Sequence, residues 1–130
     1  MTNRMVLPSD PFSFQHCIAD LSGVPLEFMD DSHLIAIKVW NLMNSVGLKI
    51  ESTFESSVRG PSGRICVGVV TSRMNLSLIA VPPARYIALD LMSFYSEDYQ
   101  GLVKAIIDEF APTHTRVKQI TRSAVNTTIM

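Results

Sequence analysis

The chain has 130 residues, 11 of them basic and 12 acidic, with a formal net charge of −1. That balance argues against a nucleic-acid partner, which needs a basic excess, and the longest apolar run, residues 65–70, is far too short to cross a bilayer. The length suits one domain with its own core and no need of disulfides.

Residues 1–13, with Pro8 and Pro11 among polar neighbours, read as an irregular arm. Phe14, His16, Ile18 and Asp20 then alternate with Gln15, Cys17, Ala19 and Leu21, which predicts a strand ended by Gly23 and Pro25. Asp30, Asp31 and Ser32 offer N-caps for a helix over Ser32–Val46, striped by Ile35, Val39, Leu42, Met43 and Val46. Gly47 suits its C′ position. Alternation over Leu48–Glu55 predicts a half-buried strand with Leu48, Ile50, Ser52 and Phe54 on one face. Ser56 to Gly63, with Arg59, Gly60 and Pro61, reads as a loop. Three strands follow, Arg64–Thr71, Asn75–Val81 and Arg85–Phe94, the first two joined closely enough for a hairpin and the last two separated by Pro82-Pro83. A second helix runs from about Ser96 to Phe110, striped by Tyr99, Leu102, Val103, Ile106, Ile107 and Phe110, and Pro112 stops it. His114–Ile120 is a last strand, and residues 121–130 a polar tail.

The order β-α-β-β-β-β-α-β, with alternating strands and two one-sided helices, predicts an α+β two-layer sandwich. One mainly antiparallel sheet carries both helices on one face. The single domain spans residues 14–120. The other sheet face is left open, and for so apolar a chain a second copy in a two-fold homodimer is the expected cover.

Chemistry is sparse. Cys17 and Cys66 lie in apolar stretches and read as buried reduced thiols. With no secretory leader in residues 1–10, a cytoplasmic protein is expected. His16, His33 and His114 have no ligand spacing, so no metal is expected. Gly60, Pro61 and Gly63 lack the Lys-Ser/Thr of a phosphate-binding loop, and Ser, His and Asp occur without a nucleophile elbow. Asp90 falls on the face opposite Ile87, Leu89 and Leu91 and reads as a solvated carboxylate. Arg116, Lys118 and Arg122 read as a wet strand face.

Three segments carry a resemblance. They are Gly47-Leu-Lys-Ile-Glu-Ser-Thr-Phe54, the run from Gly68 through Met74-Asn75-Leu76 to Pro82, and Arg85-Tyr-Ile-Ala-Leu-Asp-Leu91. With His16-Cys-Ile-Ala-Asp20 upstream, they resemble the bacterial and archaeal S-adenosylmethionine decarboxylases over about residues 14–120. Those enzymes make their own cofactor. A serine hydroxyl attacks the preceding carbonyl, the chain rearranges to an ester, and elimination leaves a pyruvoyl group that serves as the electron sink. The resemblance puts Met74 at that serine, Arg73 and Asn75 at the flanking glutamate and histidine, and Ile79 at a second histidine used in processing. It puts Phe94 at the catalytic cysteine and Cys66 near a processing serine. Val81-Pro82-Pro83 replaces Trp-Pro-Glu. Framework positions Leu76, Pro82, Tyr86, Ala88 and Asp90 match.

The resemblance therefore implies a non-catalytic relative with no pyruvoyl group, acting as a binding or regulatory subunit, as a homodimer or with a catalytic decarboxylase paralogue. Two alternatives remain. One is a repurposed enzyme or small-ligand binder, with Cys66, Arg73, Asn75 and Asp90 as its polar groups in a cleft lined by Met74, Ile79, Val81 and Phe94. The other is a polyamine-pathway decarboxylase that self-processes at Ser72 or Ser77.

Overall fold

The structure, a computed structural model, describes residues 13–93 and 99–123. Most of the expected arm, the start of the second helix, Phe94, the Tyr99 side chain and residues 124–130 lie outside the described residues.

Six strands, β1 (Ser13–Ser22), β2 (Ile50–Val58), β3 (Arg64–Thr71), β4 (Met74–Val81), β5 (Tyr86–Ser93) and β6 (His114–Ser123), form one sheet in the order β2-β3-β4-β5-β1-β6. Every neighbouring pair is antiparallel. Helix α1 (Ser32–Ser45) follows β1 and helix α2 (Tyr99–Phe110) follows β5. The two-layer α+β arrangement expected from the alternation is therefore present. One side chain in two points to the helices: Cys17, Ala19 and Leu21 from β1, Val67 and Val69 from β3, Leu76 and Leu78 from β4, and Leu89 and Leu91 from β5. They join Ile35, Val39 and Met43 of α1 and Leu102, Ile106 and Phe110 of α2 in one core.

Local chemistry explains the helix limits. The Asp31 side chain accepts a hydrogen bond from the His33 N–H at 2.8 Å, satisfying an otherwise orphaned donor of the first turn. At the other end, Gly47 takes φ of 82°. Its N–H donates to Asn44 O at 3.0 Å while the Leu48 N–H donates to Met43 O at 3.0 Å, the paired bonds of a Schellman cap. Leu48 packs against the core beside it. Lys38 and Glu109, 2.8 Å apart, tie α1 to α2.

The strand after α1 differs from expectation. It runs to Val58, so Ser56, Ser57 and Val58 pair with Cys66, Ile65 and Arg64 instead of lying in a loop. It is an edge strand, and most of it is exposed on both faces. A register shift between Ile50 and Ser52 sends Ile50 to the helix side, opposite Thr71, and Ser52 and Phe54 to the open side, opposite Val70 and Gly68. One inserted residue breaks the alternation that placed Ile50 and Phe54 together. The last strand likewise reaches Ser123, because β6 pairs with β1 along all ten of its residues.

Candidate functional site

The face away from the helices carries the polar groups. Residues directly opposite in antiparallel strands share a face, so the register defines rows across the sheet. One row is Phe54, Gly68, Ser77, Asp90, Ile18 and Lys118. A second is Cys66, Ile79, Ala88, Asp20 and Arg116, and a third is Val70, Asn75, Met92, His16 and Ile120. Gly68 is required in the first row, because a β-carbon there would sit 1.7 Å from Phe54 Cε2. The Phe54 ring rests on the bare backbone.

Two acid-centred pairs stand among these rows. His16 Nε2 lies 3.6 Å from Asp90 Oδ1, too far for a hydrogen bond. That nitrogen is buried and has no hydrogen-bond partner among the described residues. The Tyr86 hydroxyl donates a short hydrogen bond to Asp20 Oδ1. Asp20 and Tyr86 also line a cavity of about 400 Å³ with Ser22, His114, Thr115 and Arg116. The bond to Asp20, aided by burial and by the Asp20 and Asp90 charges, raises the Tyr86 pKa above its ordinary value, against the opposing pull of Arg116. The folded protein thus holds the phenolic proton more tightly than the unfolded chain. That stability is complete below pH of about 10, the unfolded value, and is lost as pH rises through the folded value. In this alkaline window the urea midpoint of the native chain is expected to fall more steeply than that of Tyr86→Phe. Parallel curves would show that the bond contributes nothing. On the helix side, burial and then the Asp90 charge push the Cys17 thiol up, so it stays protonated at neutral pH.

The residues named from sequence do not share one site. Cys66, Asn75, Ile79 and Asp90 lie on the open face, and Cys66 stands directly opposite Ile79. Arg73 is at the exposed tip of the β3–β4 turn. Met74 points the other way, into the helix-side core, with 4% of its surface exposed. Val81 falls with Ile79 on the open side. Met74 and Ile79 therefore cannot line one cleft, as their odd spacing along a strand already requires, and Phe94 lies outside the described residues. Below the tip, the buried Thr71 hydroxyl accepts from the Arg73 and Met74 N–H groups at 3.1 and 3.0 Å and is 3.1 Å from Met74 O, to which it donates. The turn is closed by a side chain that sequence reading did not single out. His16 with Asp90, and Asp20 with Tyr86, were also missed as pairs. Strand parity puts each on the open face, but only register brings them together. Among the described residues there is no cluster of three metal-binding side chains, and no helix long and apolar enough to cross a membrane.

A family model described as S-adenosylmethionine decarboxylase matches residues 15–123. The chain belongs to the S-adenosylmethionine decarboxylase family. The crystal structure of the adenosylmethionine decarboxylase from Aquifex aeolicus VF5 is similar in fold, with a TM-score of 0.76, covering 93% of this chain and 98% of that one at 16% identity. No curated protein sequence matches. Family membership and fold thus agree with the resemblance drawn from the Gly68–Pro82 and Arg85–Leu91 segments. Cys66 and Ile79 are cross-strand neighbours on the open face.

Proposed function

We propose that this chain is a non-catalytic member of its family, a binding or regulatory subunit that pairs through its open sheet face. The observation that carries the reading is Met74. Pyruvoyl formation needs a side-chain alcohol that adds to the preceding carbonyl and gives up its proton. A thioether has no proton to give, and this side chain is packed in the core while the Met74 backbone N–H donates to the Thr71 hydroxyl. The residues at 73–75 therefore do not fit a pyruvoyl group. The two serines nearest the turn are poor substitutes. Ser77 sits inside β4 with ladders on both sides, and Ser72 is exposed at the tip. The purified polypeptide is expected to run in mass spectrometry as one species near 14.4 kDa. Two fragments, the carboxy-terminal one blocked by a ketone, would overturn the reading.

The partner we favour is a second copy. Phe54, Val70 and Ile79 are 52%, 39% and 38% exposed on the open face, beside the partly covered Ile18 and Met92. Arg116, Lys118 and Arg122 run down one side of that face, and Asp20 and Asp90 lie nearer its centre. A two-fold axis would set cations of each copy toward carboxylates of the other while covering the apolar residues. A catalytic paralogue using the same face would serve the regulatory version, and would appear as a heterodimer on co-expression.

A further inference from the structure

At the end of the sheet away from the β3–β4 turn, three segments remote in sequence line an open-mouthed cavity of about 620 Å³. Arg59 comes from the loop between β2 and β3, Arg64 from the start of β3, and Arg85 from the residue before β5. Asp30 and Asp31, at the start of α1, also line it. No ion pair joins any of the three arginines to another described residue. Asp31 is committed elsewhere, since its carboxylate caps α1. Three exposed arginines thus line one space, and Asp30 is the lining carboxylate that is not used as a helix cap.

The backbone holds this arrangement at a conformational cost. Arg85 has φ of 51° and ψ of 44°, the left-handed region that disfavours any residue with a β-carbon. It is fixed there by its N–H donating to Pro82 O at 3.0 Å and its carbonyl accepting from the Val24 N–H at 3.1 Å. Gly63, which also lines the cavity, packs so tightly that a β-carbon would meet two carbonyl oxygens at 3.0 Å. Its N–H closes the loop onto Gly60 O at 2.9 Å, which sets Arg59 and Arg64 at the two ends of a short, braced turn.

We propose that this cavity is an anion site that takes the phosphate group of a nucleotide-sized small molecule. Guanidinium groups match phosphate oxygens in paired, charge-assisted hydrogen bonds. The end of α1 adds a positive dipole end beside Asp31 and Ser32. The volume falls in the range of small-molecule sites. A sulfonium cation would meet the arginines unfavourably, so this site is separate from substrate binding of the family type. It does not depend on whether the chain is processed or paired.

Thermal unfolding with inorganic phosphate, AMP and adenosine, each at matched ionic strength, tests it. Phosphate or AMP at ten times its dissociation constant is expected to raise the Tm by about 5 °C, and adenosine is expected to do nothing. Arg59→Ala and Arg64→Ala should each weaken binding about tenfold or more. Arg85→Gly should do the same while leaving the unliganded Tm unchanged or higher. Arg59 stands on an exposed loop, so its variant decides the matter should another fail to fold. No shift with either anion, a shift retained in the arginine variants, or an equal shift with adenosine would each overturn the assignment.

Discussion

Met74→Ser is expected to lower the unfolding free energy by about 3 kcal/mol, within the range for truncating a buried methionine, and to leave the polypeptide in one piece. The native side chain is almost wholly buried on the helix side of β4, in the same core as Leu76 and Leu91. Serine removes the thioether and its terminal methyl, leaves part of that volume empty, and puts a hydroxyl among apolar neighbours. The urea midpoint should fall with an unchanged denaturant slope, since the unfolded surface hardly changes. Restoring the alcohol does not restore the chemistry around it. Positions 75 and 79 hold Asn and Ile, and the nearby imidazole of His16 is on the open face, opposite to the direction in which residue 74 points. A variant that cut itself would show that the scaffold has kept its processing competence and that only one side chain stands in the way. The non-catalytic reading would then rest on Met74 alone.

Ile79→Lys is expected to convert a dimer to a monomer, halving the mass measured by light scattering. Ile79 lies between Cys66 and Ala88 near the middle of the open face. Under a two-fold axis each substitution enters the interface twice, and each buries an ammonium among apolar side chains with no designed partner. At about 3 kcal/mol for each unpaired buried charge, association should weaken by several orders of magnitude. The isolated domain should be nearly indifferent, because Ile79 is already 38% exposed in the single chain. That separates loss of pairing from loss of folding. A native chain that stays monomeric at all accessible concentrations would remove the proposed interface, and a dimer unaffected by Ile79→Lys would place it elsewhere.

Much of the scaffold was legible because its signals are local. The Asp31 cap and the Gly47 stop bracket α1 within a residue, and each needs only the hydrogen bonds of a single helical turn. The limits of β3 were read without error, and Asp90 was placed on the correct face from period-two alternation. Less was legible in β2. The shift between Ile50 and Ser52 leaves no composition signal, and Ser56 to Val58 looks like a loop until β3 is available to pair with it. The candidate site suffered most. The family resemblance groups Met74 with Ile79 and Val81, whereas the pleat sends odd and even positions of β4 to opposite faces.

From its own residues the chain determined the order of its elements, the faces of those without a bulge and the lack of an alcohol at position 74, because caps, alternation and side-chain chemistry are properties of neighbours along the backbone. Tertiary structure alone decided that β1 lies between β5 and β6, which brings His16 to Asp90 and Asp20 to Tyr86. It also decided that Arg59, Arg64 and Arg85 border one cavity. Those meetings depend on pairing between segments far apart in the chain, and hydrogen-bond ladders between strands are set by the burial of a whole face rather than by any short stretch of sequence.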